Sequence, residues 1–110
     1  MAQAYEVRGA GSAEFNGVYK LDPNAKEKNG YRMEGSKMTL EYHSGDGWWF
    51  LTEDYKDGTE RYFCQSSSST PPLSDWKVYV AFRLGKAPAP SLSLVSAAQV
   101  RTGPNGTRTR

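Results

Sequence analysis

The feature that most constrains this chain is a rhythm of two. Met38, Leu40 and Tyr42 alternate with Thr39 and Glu41, and Trp76, Val78, Val80 and Phe82 alternate with Lys77, Tyr79 and Ala81. Successive side chains of a strand point to opposite faces, so this spacing lays one set on a single face of a sheet. The alternating runs are rich in Tyr, Trp, Phe and Val, which suit a pleated surface. No segment before residue 90 sustains helical periodicity beyond about two turns.

Turn residues divide the chain into seven predicted strands: Tyr5 to Arg8, Gly17 to Leu21, Tyr31 to Glu34, Lys37 to Tyr42, Trp48 to Thr52, Glu60 to Gln65 and Trp76 to Leu84. Gly35-Ser36 and Ser44-Gly45-Asp46-Gly47 predict tight hairpins, and Asp57-Gly58 a further turn. The spacing therefore predicts an all-β fold: an antiparallel meander of six to seven strands in a curled sheet, small barrel or sandwich. Its expected core is Val18, Tyr31, Met38, Leu40, Trp48, Phe50, Tyr62, Trp76, Val78, Val80 and Phe82. A register slip of one residue would exchange the two faces.

The sequence divides into a single β domain over residues 1–85, a Pro-rich strap over 86–100 and a basic tail over 101–110. Pro88 and Pro90 remove two backbone donors, so the strap is expected to leave the domain in extended form and to end in a strand or a turn. The tail has no large apolar side chain to offset the entropy of ordering, and is expected to be disordered.

Composition narrows the function classes. At 110 residues the chain is too short for a multidomain enzyme. It contains no apolar run near the roughly 18 residues of a membrane-spanning helix, and no membrane partner is expected. Hydrophobic residues make up 37% and aromatics 13%, so rings must carry much of the core. The net charge of +2 is concentrated in the tail, where Arg101, Arg108 and Arg110 meet no acid. The first hundred residues hold 11 basic against 12 acidic side chains, net −1, and residues 41–60 lean acidic. A nucleic-acid partner is therefore not expected, because phosphate contacts need clustered cations. The single cysteine, Cys64, can form no disulfide within the chain, and the N-terminal residues lack the features of a secretion signal. Both point to an intracellular, cytoplasmic location.

Few residues offer chemistry. The one histidine, His43, ends a predicted strand beside Asp46. With Cys64 these form the only reactive set a small enzyme would have, and the reading favours no enzyme. Asp54, Asp57 and Glu60 recur every three residues but lack the spacing of a calcium loop. No motif calls for a cofactor or metal.

The aromatic pairs are more informative. Trp48 and Trp49 are adjacent and so face opposite ways, and Tyr62-Phe63 repeats the arrangement one strand later. Pairing these strands puts an aromatic patch on each face. Either both patches are covered, as in a sandwich or closed barrel, because a chain short of aliphatics uses rings as core, or one patch faces a partner. Trp49, Tyr62, Asp46 and His43 are the expected ligand- or partner-binding residues. The favoured function is a non-enzymatic structural or protein-interaction module whose partner is another protein. A carbohydrate-binding module using Trp49, Tyr62 and Asp46 is the alternative, and a small enzyme the third.

The order Gly9-Ala10-Gly11-Ser12, Phe15-Asn16-Gly17-Val18-Tyr19, Gly47-Trp48-Trp49 and Pro71-Pro72 before Trp76 resembles a small β-module of algal and protist proteins of unassigned function. The resemblance spans about residues 5–95. It implies a structural or interaction module and brings no catalytic residue with it.

Overall fold

The computed structural model describes residues 4–23, 25, 30–56, 58–80 and 85–95. They form eight antiparallel strands in one curled sheet: β1 (Ala4–Arg8), β2 (Gly17–Leu21), β3 (Tyr31–Met33), β4 (Met38–His43), β5 (Trp48–Glu53), β6 (Tyr62–Cys64), β7 (Lys77–Val78) and β8 (Ser91–Val95). The spatial order is β7-β6-β5-β4-β3-β2-β1-β8. Seven strands thus follow the expected meander, and the eighth returns to pair with the first. No helix among the described residues is long and apolar enough to cross a membrane.

Register follows from the turns. At the β4–β5 turn, Gly47 adopts φ 73° and its N–H donates to the His43 carbonyl at 2.7 Å. A positive φ suits glycine, which has no Cβ to collide with the backbone. The turn sets Tyr42 opposite Trp49 and Leu40 opposite Leu51. Those four side chains share the inner face, and Trp49 and Leu51 are fully buried there.

Rings dominate that core. Tyr31 meets Tyr5 edge-on at 5.4 Å, and Trp49 lies 5.5 Å from Tyr42 and 6.5 Å from Tyr31. Phe15, on a 3₁₀ turn over Ala13–Phe15, packs against Tyr62 at 6.1 Å. Edge-to-face contacts of this kind add about 0.5–1.5 kcal/mol beyond area burial.

The expected core is corrected at several positions. Tyr31, Met38, Leu40, Tyr62 and Trp76 lie in it, and Val78 packs against it. Trp48 lies half-buried on the opposite, outer face, and Phe50 is buried as expected but on that outer side of the sheet. The run Trp48-Trp49-Phe50-Leu51 is apolar on both alternations, so rhythm alone leaves its facing open. Val18 sits on the outer side of β2, where Tyr19 takes the inner place. Of the expected last strand, Lys77–Val78 pairs in the sheet, Tyr79 and Val80 do not continue the strand, and residues 81–84 lie outside the described residues. Asp75 has φ 69°, the Trp76 indole N–H turns back to the Pro72 carbonyl at 2.8 Å, and Val80 is 72% exposed. Phe82 lies outside the described residues, as do residues 101–110.

The strap also departs from expectation, because it stays on the fold. Pro88 has no N–H to offer, but its carbonyl accepts the Gly11 N–H at 2.9 Å. The Tyr62 hydroxyl accepts the Ser12 N–H at 2.8 Å and donates to the Lys86 carbonyl at 2.6 Å. Beyond Pro90 the chain pairs with β1, from Arg8 opposite Ser91 to Ala4 opposite Val95. Gly11 is required at the crossing, since a Cβ there would collide with the Ala87 carbonyl.

Candidate functional site: the outer aromatic face

Filling the inner face leaves a second set of rings on the outer face of β4, β5 and β6. The register places His43 opposite Trp48, Glu41 opposite Phe50, and Phe50 opposite Phe63. Trp48 and Phe63 lie 5.4 Å apart with planes 29° from parallel, and Phe50 and Phe63 6.5 Å apart at 30°. Tyr79, just past β7, stands nearly upright against this group, at 86° to Phe50 and 74° to Phe63. The result is a tilted platform of three rings with a wall along one side. Its neighbours shield Phe50 to 2% exposure, while Trp48, Phe63 and Tyr79 stay partly open to solvent.

A polar rim borders the platform at the β4–β5 turn. His43 packs on Phe50 at 4.6 Å between ring centres. Its Nε2 lies 3.2 Å from Glu41 Oε2, and its Nδ1 lies 3.7 Å from Asp46 Oδ2. Glu41 is only 3% exposed, and its Oε2 also accepts the Thr52 hydroxyl at 3.1 Å. A buried carboxylate needs such partners, because removal from water penalises its charge.

The opposite end of the outer face is covered. Tyr55 folds back over β4, its N–H bonded to Thr39 Oγ1 at 3.1 Å and its hydroxyl to Asp22 Oδ2 at 2.8 Å. The Arg32 guanidinium lies 5.3 Å over the Tyr55 ring and reaches Asp22 at 3.2 Å and Asp54 at 2.6 Å. That hydrogen bond holds the Asp54 carboxyl below the usual carboxylate range. Burial, then the bond to Asp22, pushes the Tyr55 phenol up. Among the described residues, the rings left partly open on the outer face are those at the platform end.

The predicted site residues separate in this geometry. His43 and Asp46 come together at the rim, beside Trp48. Trp49 and Tyr62 are corrected: both are fully buried on the inner face, where Trp49 donates its indole N–H to the Ser68 carbonyl at 3.0 Å. Neither ring is available to a ligand. The partly exposed counterparts are their sequence neighbours, Trp48 and Phe63. Cys64 stands opposite Trp49 inside the core, so the sheet separates it from His43 and Asp46. Burial pushes its thiol up in pKa, away from the reactive thiolate.

Two of the acids considered for calcium are engaged elsewhere. Asp54 pairs with Arg32, Glu60 Oε1 accepts the Gly58 N–H at 2.9 Å, and Asp57 lies outside the described residues. No group of three His, Cys, Asp or Glu suited to a metal occurs among the described residues. Sequence reasoning missed Tyr79 as a site residue. Its signal was present: Tyr79 is the aromatic member of the polar alternation between Val78 and Val80. No family model, characterised protein or solved structure matches this chain.

Proposed function

We propose that this chain is a non-enzymatic protein-interaction module that binds its partner through the partly open outer rings Trp48, Phe63 and Tyr79, which pack on the buried Phe50. One observation carries the reading: four rings gather on a sheet face after the opposite face has already supplied the core. A chain at 37% hydrophobic content has few rings to spare for a surface. Clustered apolar surface on a small protein marks interaction sites, and Trp and Tyr are frequent anchors of interfaces. The rim of His43 and Asp46 would orient the partner, which presents apolar side chains to the rings and a polar group to the turn.

The test is capture of partner proteins from the native source by wild type, Trp48→Ala and Phe63→Ala, each checked for fold by near-ultraviolet circular dichroism. A defined set of proteins held by wild type and lost by both folded variants supports the reading. Undiminished capture by both variants would refute it.

A second reading, carbohydrate binding, is favoured by the small angle between Trp48 and Phe63. Rings aligned in this way can stack on the flat face of a sugar. Trp fluorescence during titration with a glycan panel separates the two readings, since a saturable shift lost in Trp48→Ala selects the sugar.

A further inference from the structure

His43 is the only histidine of the chain, and histidine is the side chain whose charge changes near neutral pH. Both of its ring nitrogens face carboxylates. Nε2 lies 3.2 Å from Glu41 Oε2 on the same strand, and Nδ1 lies 3.7 Å from Asp46 Oδ2 in the β4–β5 turn. A neutral imidazole carries one N–H and a lone pair on the other nitrogen. Whichever nitrogen keeps the proton, the other then sets its lone pair against a carboxylate. Only the imidazolium offers an N–H to both sides.

The surrounding elements supply no substitute cation. Glu41 is buried, and the Thr52 hydroxyl gives its carboxylate a hydrogen bond but no charge. A buried carboxylate without a counter-charge is costly. On β5, Trp48 stands opposite His43 and Phe50 packs on its ring, and neither side chain titrates. Tyr55, folded over the same face, feels the Glu41 charge, but burial and the bond to Asp22 push its phenol up and keep it neutral. The Arg32 guanidinium over that ring is taken by Asp22 and Asp54. Lys77 stands opposite Phe63 on β7, three strands from His43. Among the described residues, His43 is therefore the one group placed to balance both carboxylates. The two differ in access to water: Glu41 is enclosed, whereas the Asp46 side chain is 58% exposed.

We propose that His43 is a proton-operated latch on the rim of the aromatic platform. As the imidazolium it ties Glu41 and Asp46 together. On losing a proton it keeps its remaining N–H on the enclosed Glu41 and releases Asp46, which water can solvate. Two carboxylates and one imidazolium carry net −1, so deprotonation takes the rim beside Trp48 to net −2. The folded protein then holds this proton more tightly than the unfolded chain does. The latch therefore stabilises the fold below the ordinary histidine value of about 6.5, and that contribution is lost as pH rises through the folded midpoint. The latch is a property of this chain alone and does not depend on the function assigned to the platform.

The experiment is a proton NMR titration of the full 110-residue chain, in which the single histidine gives one Cε1–H resonance. Its midpoint in wild type is expected above the ordinary value of about 6.5. In Asp46→Asn, which removes the exposed carboxylate and disturbs no buried group, the midpoint is expected to fall by about 0.2–0.7, the worth of an exposed ion pair. The Asp46 amide and the Trp48 indole resonances of wild type are expected to move with the His43 midpoint. Urea denaturation over the same pH range reads the linkage: wild type loses stability as pH rises through the midpoint, and His43→Gln shows a shallower loss. A wild-type midpoint at or below the ordinary value overturns the proposal, as does a midpoint unchanged in Asp46→Asn. So do Asp46 and Trp48 resonances that ignore the titration, or a loss of stability in His43→Gln as steep as that of wild type.

Discussion

Trp48 and Trp49 are the same side chain one position apart, and the fold gives them opposite uses. Trp49 is enclosed by Tyr42, Tyr31 and the Ser68 carbonyl, while Trp48 leans on Phe63 at the surface. Replacing Trp49 with Ala removes a fully buried ring and leaves a cavity, at a cost of about 3–5 kcal/mol. Trp48→Ala deletes a partly solvated ring and is expected to cost well under half of that. Urea denaturation of the two variants measures the difference, and equal losses would place both rings in the core. Tyr62 shows how one atom can join distant segments. Its hydroxyl binds Ser12 and Lys86, 50 positions before it and 24 after it. Its aromatic character was legible in the chain, but this role was not, because hydrogen-bond partners so remote leave no local trace.

At the scale of elements, the β4–β5 hairpin was readable, and of its neighbour the turn was readable but not its conformation. Ser44-Gly45-Asp46-Gly47 joins two apolar runs, and glycine at a positive φ closes the turn. The β5–β6 connection instead places Asp54 at φ 51° and Tyr55 at φ 58°, conformations that non-glycine residues seldom adopt. They are held by Arg32, which bonds Asp54 and covers the Tyr55 ring. No turn rule anticipates this, since the stabilising group comes from β3.

The same cluster has a pH signature. Asp54 is held below its ordinary value of 3.8, chiefly by the Arg32 hydrogen bond. A depressed carboxylate stabilises the fold above the unfolded pKa, and that contribution is lost as pH falls through the folded value. Wild type is therefore expected to lose stability as pH falls below about 4, and Asp54→Asn to show a shallower loss over that range. Thermal melts from pH 6 down to pH 2 would read this, and parallel profiles would remove Asp54 from the account.

For the whole molecule, the decisive element is β8. The sheet extends beyond its meander because the strap crosses Gly11, binds Tyr62 and returns to β1. A chain ending at residue 85 lacks β8 and the acceptors at Lys86 and Pro88. It is expected to lose cooperative unfolding, seen as a broad thermal transition and collapsed amide dispersion in proton NMR. A chain cut after 85 that still melts sharply would make the strap an accessory.

The chain by itself determined that this is an antiparallel β protein, that rings must build its core, and that two neighbouring strands carry rings on both faces. These properties follow from alternation, turn chemistry and composition, all written within a few residues of where they act. Only the tertiary structure decided which ring of each adjacent pair is inside, that Tyr55 covers one end of the outer face, and that the strap closes onto β1. Those outcomes depend on register and on contacts between distant segments. A strand that is apolar on both faces satisfies the local rules in either orientation, and only packing of the whole sheet selects one.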